Sequence, residues 1–251
     1  MPATPAWPPK SAPRLFVSDT LAEGRTLALD GNHANYLARV MRVGEGDAVI
    51  LCDDMTGEWV ARVKAVGKRQ VDVTVAHRLR PREDVPDFWL CPALLKKDRF
   101  DLVLEKATEL GAAHIRPVLT KRCVATKLNP DRARTIVTEA AEQCARTALP
   151  ELSEPMKLDH LLSDWPHDRT LFFADEEGGE PAAQTFAAHS GPAALLIGPE
   201  GGFDDAERAA IRALRQARPI TLGPRILRGE TAAIAATALW MGQAGDWGKS
   251  E

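Results

Sequence analysis

No stretch of this 251-residue sequence approaches the roughly 18 uninterrupted apolar residues of a membrane-spanning helix, which argues against a transmembrane protein. Cysteine is scarce. Cys52, Cys91, Cys123 and Cys144 lie far apart with no CxxC pair, so neither a disulfide framework nor a cysteine zinc site is expected. The histidines (His33, His77, His114, His160, His167, His189) never fall in a HExxH or similar spacing, so no metal is expected either. The opening MPATPAWPPKSAPR is rich in proline and lacks the apolar run of a secretory signal. A cytoplasmic protein is the expectation from these absences.

Charge of one sign is also missing overall: 32 Lys+Arg against 35 Asp+Glu leave a net charge of −3, which argues against a simple nucleic-acid binder. The average conceals a segregation. Residues 96–146 carry 11 basic side chains against 7 acidic ones, and residues 147–207 carry 2 against 13. Two readings stay open: acidic side chains such as Asp159, Asp164 and Glu176 solvate one face, or a basic surface meets a polyanion while the acidic one turns away.

After a leader at 1–13, short strand-like runs dominate: 14–17, 26–29, 48–51, 58–66 and 71–76, interrupted by one helical pattern at 33–41 in which Tyr36, Leu37, Val40 and Met41 recur at helix spacing. This reads as a small β-barrel over 14–84. The run RLRPREDVPD is the linker candidate. From 85 to 251 the rhythm becomes strands alternating with helices. The apolar run 88–94 precedes a helix whose Phe100, Val103, Leu104, Ala107 and Leu110 share a face, capped by Gly111. A strand at 115–120 follows, then a helix from Asn129-Pro130 to about Leu149. Further strands are expected at 170–174, 193–197 and 219–222. Asp204 and Glu207 resemble a capping box opening a helix with Ala206, Ala210, Leu214 and Ala217 facing inward. Such alternation implies an α/β domain with a mostly parallel sheet and its function at the strand C-termini.

Two loops sit there. Ile197-Gly-Pro-Glu-Gly-Gly-Phe203 and Leu222-Gly-Pro-Arg-Ile-Leu-Arg-Gly-Glu-Thr-Ala232 each follow a strand. The first lacks the GK[ST] of a P-loop and the GxGxxG spacing, and it places Glu200 among its amides, where a phosphate would be repelled. An uncharged or cationic ligand suits it better. The alternative is an ordinary turn whose acids complement a helix dipole.

The combination of LLIGPEGGFDDAE, LGPRILRGETAA, KKDRFDLVLEKATELGA with IRPVLTKRC, EAAEQCAR and the early RLFV resembles the RsmE-type 16S ribosomal RNA uridine-N3 methyltransferases of the SPOUT superfamily. The resemblance implies a PUA-like β-barrel over 14–84, a trefoil-knotted SPOUT α/β domain over 85–251, S-adenosyl-L-methionine as methyl donor, and a homodimer acting on 16S rRNA or the small ribosomal subunit. By analogy Ile197, Gly198, Pro199, Gly201, Gly202, Leu222, Gly223, Ile226, Leu227, Thr231 and Ala232 line the cofactor pocket. Arg228 orients the uracil and stabilises charge developing on its carbonyls, and Glu200 accepts a hydrogen bond from the base or assists proton removal. Lys96, Lys97, Arg99, Lys121, Arg122, Lys127 and Arg132 are the expected phosphate contacts, extended by Arg14, Arg39 and Arg42 in the barrel. Gln143 and Arg146, read as sharing a helical face, are placed near the substrate or the dimer junction. Cys123 stands where the family often has serine, so no hydroxyl role is expected there. A SPOUT methyltransferase of another RNA, such as tRNA, and a non-catalytic RNA-binding module remain the alternatives.

Overall fold

A computed structural model describes residues 7–248; the first six residues of the expected leader lie outside the described residues. The chain forms two compact units, Met1–Asp84 with Ala141–Ala148, and Val85–Ala140 with Leu149–Glu251.

The first unit is built on five strands, β1 (Arg14–Phe16), β2 (Thr26–Asp30), β3 (Ala48–Cys52), β4 (Glu58–Val66) and β5 (Gln70–Arg80), in the order β1-β3-β4-β5-β2. β1 and β3 pair parallel and the other neighbours antiparallel. Alternation selects the inner face: Leu27 and Leu29 of β2 and Val71, Val73 and Val75 of β5 are buried, while their neighbours point out. Three register shifts along β4 and β5 bend and twist the pair. In the turn after β3, Asp53 accepts hydrogen bonds from the amides of Leu21, Met55 and Thr56 and from the Thr56 hydroxyl. Gly57 must be glycine, since at φ +114° a Cβ would lie 2.3 Å from the Arg80 carbonyl oxygen.

The helical pattern at 33–41 departs from expectation. α1 (Gly31–Asn35) widens into a π-helical turn, Tyr36–Met41, and the Val43 amide reaches back to the Leu37 carbonyl. The wider turn breaks the 3.6-residue period. Of the four apolar residues that recur at helix spacing only Leu37 is buried, and Val40 is 64% exposed.

The second unit centres on a seven-stranded, wholly parallel sheet. Its strands are β6 (Phe88–Pro92), β7 (His114–Ile115), β9 (Glu151–Leu152), β11 (Thr170–Ala174), β12 (Glu180–Pro181), β13 (Ala193–Ile197) and β14 (Ala217–Thr221), in the order β12-β14-β11-β13-β6-β7-β9. The expected strand at 115–120 is instead two, because Arg116-Pro117 interrupts it. β7 joins the large sheet and β8 (Val118–Leu119) pairs with β10 (Met156–Lys157).

The central strands of this sheet are covered on both faces. Phe172, Leu195 and Ile197 pack with α2 (Lys97–Glu109), α3 (Pro130–Gln143), α5 (Ala182–Ala187) and α7 (Gly229–Gln243), whereas Phe173, Ala194 and Leu196 pack with α4 (Leu158–Ser163) and α6 (Asp205–Ala213). Gly111, at φ +98°, follows α2 as its expected cap.

Two helices end earlier than expected. α3 stops at Gln143 and Ala145 turns left-handed (φ +63°), so Arg146 lies beyond the helix and does not share a face with Gln143. α6 stops at Ala213, and Ala217 opens β14. Its inward residues are Glu207, Arg208 and Ile211, whereas Ala206 and Ala210 are exposed. The buried Arg208 rotates the helix relative to the apolar pattern.

Candidate active site

β13, β11 and β14 lie side by side and parallel, so the loops after them emerge at one sheet edge. They enclose a cavity of about 310 Å³. Nine of the residues expected to line a cofactor pocket line it: Ile197, Gly198, Pro199, Gly202, Leu222, Gly223, Ile226, Leu227 and Ala232. Gly201 and Thr231 do not. A Cβ on Gly201 would meet the Arg122 side chain at 3.3 Å. The loop's left-handed glycine is Gly202, at φ +66°, whose amide donates to the Pro199 carbonyl at 2.9 Å and whose missing Cβ would lie 2.5 Å from Glu176 Oε1.

Glu176 belongs to a third wall, the 175–179 loop after β11, which the sequence reading passed over; its signal was the dense DEEGG immediately after a strand. Arg208 of α6 organises that wall. Its guanidinium, 8% exposed, meets Asp175 at 3.1 Å, Glu176 at 2.9 Å and Glu177 at 2.8 Å. Burial alone would make this arginine more acidic, but the three carboxylates outweigh it and push its pKa up. Arg212 completes the pairing of the fully buried Asp175 at 2.6 Å.

The glycine loop is braced from the Thr120–Cys123 segment. Arg122 Nη1 donates to the carbonyls of Gly201 (2.8 Å) and Phe203 (3.2 Å), Lys121 Nζ pairs with Asp204 at 2.8 Å, and the Lys121 amide donates to Glu207 at 2.7 Å. Asp204 and Glu207 form the expected capping box. Lys121 holds the half-buried Asp204 carboxyl below its ordinary value, and Asp204 in return raises the Lys121 pKa.

The structure places several of the expected phosphate contacts against partners within the chain. Arg122 and Lys121 are engaged as loop braces. Glu200 is absent from the cavity wall; its Oε1 accepts from Arg99 Nη1 at 3.0 Å. Arg132 pairs with Asp101 at 2.6 Å. In the first unit Arg14 grips the buried Glu58 at 2.7 Å, alongside Arg80, and Arg146 is 5% exposed and lies 3.8 Å from Glu83, so its guanidinium is not presented to a phosphate. Burial lowers the Arg146 pKa. Lys96, Lys97 and Lys127 in the second unit, and Arg39 and Arg42 in the first, are exposed and form no ion pair among the described residues; Gln143 is exposed. Arg228, the residue preceding the first turn of α7, is likewise exposed with no side-chain partner among the described residues.

These features define a class. The model of an RNA methyltransferase domain matches residues 82–241, that of an RNA methyltransferase PUA domain matches 29–76, and the chain belongs to this RNA methyltransferase family. Within it, the chain is similar to proteins named Ribosomal RNA small subunit methyltransferase E. The one from Bacillus subtilis is 31% identical over 243 residues, 89% of this chain and 93% of its own. A crystal structure of the protein so named from Neisseria gonorrhoeae, bound to S-adenosyl methionine, is 28% identical and superposes with a TM-score of 0.85 over 94% of this chain and 99% of that one. A putative methyltransferase from Legionella pneumophila, in complex with bound SAM, is 30% identical with a TM-score of 0.84 over the same shares.

Proposed function

We propose that the protein is an S-adenosyl-L-methionine-dependent methyltransferase of small-subunit ribosomal RNA, and that it methylates N3 of a uridine in 16S rRNA. The observation that carries this reading is the three-loop cavity at the ends of β13, β11 and β14. Its walls suit the cofactor. The amides of Ile226 and Leu227 meet no acceptor among the described residues and are available to a heterocycle, the lining side chains Ile197, Phe203, Leu222 and Leu227 are apolar, and Glu176 places a carboxylate beside Gly202 for a cationic group.

When bound, S-adenosylmethionine supplies an electrophilic methyl group on a sulfonium. The chain's task is then to hold a uracil in line and to stabilise the negative charge that grows as N3 loses its proton. Arg228 performs this. Its position beside the cavity-lining Leu227 and Gly229, and its freedom from other partners, support the assignment.

The second unit carries the SPOUT-type trefoil knot in this reading. What supports it is the tight entry to α7, where a Cβ on Gly229 would lie 3.0 Å from Leu95 Cδ2 and 3.4 Å from the Gly198 carbonyl oxygen, so the chain passes close against the first loop. The 14–84 portion is a PUA-like barrel that binds RNA through Arg39 and Arg42, supported by the bent five-stranded sheet and the PUA match. The protein works as a homodimer in the cytoplasm; no helix among the described residues is long and apolar enough to cross a membrane. The test is incubation of the purified protein and S-adenosylmethionine with small subunits or 16S rRNA from a strain deleted for the gene, followed by nucleoside mass spectrometry. 3-Methyluridine in 16S rRNA is expected. Methylation of tRNA alone, or none, would overturn the reading.

A further inference from the structure

We infer that Arg99 is a positioning residue that couples the glycine loop to the start of α7. This rests on the methyltransferase reading above, and it replaces the phosphate contact that the sequence suggested for Arg99. From the first turn of α2 the guanidinium reaches two carboxylates on two different ligand loops: Nη1 donates to Glu200 Oε1 at 3.0 Å, and Nε lies 3.7 Å from Glu230 Oε1. Glu200 stands between Pro199 and Gly201 in the first loop. Glu230 stands two residues after Arg228, in the first turn of α7. One planar cation thus ties the loop that shapes the cofactor cavity to the helix end that carries the base-orienting arginine.

The burial pattern sharpens the point. The Glu230 side chain is 12% exposed, and its Oε2 is buried with no hydrogen-bond partner. A carboxylate so poorly served by donors depends on its nearby cation, and Arg99 is the only ion-pair partner it has among the described residues. The guanidinium of Arg99, in turn, is two-thirds buried and committed to these two acids, unlike the exposed, unpaired Lys96 and Lys97 beside it. A fork-shaped donor set spans two acceptors in a way a lysine ammonium does not.

The experiment compares wild type with Arg99→Gln, Arg99→Lys, Glu230→Gln and the double variant Arg99→Gln/Glu230→Gln. It reads kcat, KM for small subunits, cofactor affinity by calorimetry, the salt dependence of RNA binding, and Tm. Positioning predicts that Arg99→Gln loses about 30- to 100-fold in kcat, the scale of a slightly misplaced reacting pair. Cofactor affinity falls several-fold, the KM for RNA and the salt slope hold, Arg99→Lys recovers little, and the double variant is no worse than Arg99→Gln alone. A salt slope reduced by about one, with activity restored by lysine, would return Arg99 to phosphate binding and overturn the inference. A lowered Tm with normal kcat and normal cofactor affinity would overturn it too, as a purely structural brace. If the wild-type protein methylates no small-subunit RNA, the functional reading fails by itself; the calorimetry still decides the coupling, which unchanged cofactor affinity in Arg99→Gln would then exclude.

Discussion

Two adjacent glycines in one loop have opposite tolerances. Gly202 holds a left-handed backbone, and its Cβ would press on a Glu176 carboxylate that Arg208 keeps in place, so Gly202→Ala carries a backbone penalty of about 1–2 kcal/mol and also displaces the acidic wall. Calorimetry is expected to show S-adenosylmethionine affinity reduced about tenfold. Gly201→Ala, which meets only the flexible stem of Arg122, should stay within about threefold of wild type, and the reverse ranking would refute this view of the loop. Arg228 has a different signature. If Arg228 orients the uracil as proposed, Arg228→Ala should lower turnover by roughly 10²-fold or more while leaving cofactor affinity near normal, because that interaction would matter most as charge develops on the base. A near-normal rate at saturating cofactor and RNA would remove it from the catalytic set. At this scale the sequence was legible where local grammar decides, as in the glycine loops and the Asp204–Glu207 box. It was illegible where a partner sits far along the chain. Arg122 binds carbonyls 79 and 81 residues away, and Arg14 grips a glutamate 44 residues on; as one-dimensional text both are simply exposed-looking arginines in basic surroundings.

Elements were read best where burial is two-sided. Phe88–Pro92, Thr170–Ala174 and Ala193–Ile197 are continuous apolar runs because each lies inside a sheet covered on both faces, and 170–174 and 193–197 matched to the residue. Reading failed where a polar contact overrides apolar periodicity. α6 turns Arg208 inward to meet three acids, and the π-helical turn after Asn35 throws Tyr36, Val40 and Met41 outward. The turn joining β3 and β4 shows how much a single buried acid contributes to an element. Burial raises the Asp53 pKa, but the donors from Leu21, Thr56 and Met55 outweigh it and hold the carboxyl below its ordinary value. A folded pKa below the unfolded one contributes stability that is complete above the unfolded value of about 4 and is lost as pH falls through the lower folded value. Asp53→Asn should cost about 1–3 kcal/mol at pH 7, read as a lower urea midpoint at constant slope. The gap to wild type should narrow as the medium is acidified below pH 4, and a gap independent of pH would show that the carboxylate charge is not what holds the turn.

For the whole molecule, the segregation of charge along the sequence resolves into two kinds of cation. Lys121, Arg122 and Arg132 are spent on internal partners, whereas Lys96, Lys97 and Lys127 remain exposed and unpaired among the described residues. Changing any one of the latter three to alanine should reduce the salt slope of RNA binding by about 0.7–0.9, the release of one counterion, with cofactor affinity untouched. Arg132→Ala should leave the slope alone, and equal slopes for all four variants would dissolve the distinction. The proposed homodimer has a candidate contact surface on α7. Over Gly229–Gln243 its only charged residue is Glu230, and although one side packs into the core through Ala232, Ala233, Ala236 and Trp240, the opposite side presents Thr231, Ala235, Ala238 and Gly242 at i, i+4, i+7 and i+11. A helix left in water normally carries charge on its outer face; one that is apolar or small-residued all round is covered in its working state. Small side chains also let a second helix approach closely, and a two-fold dimer would set α7 against its own copy. Sedimentation at micromolar concentration should therefore give about twice the 27.3 kDa chain mass. Ala235→Arg places a long cation on the proposed contact without touching the buried side, so it should yield a folded 27.3 kDa species with an unchanged thermal transition at low concentration. Wild type sedimenting as a monomer across that range, or Ala235→Arg remaining dimeric, would place the association surface elsewhere or abolish it.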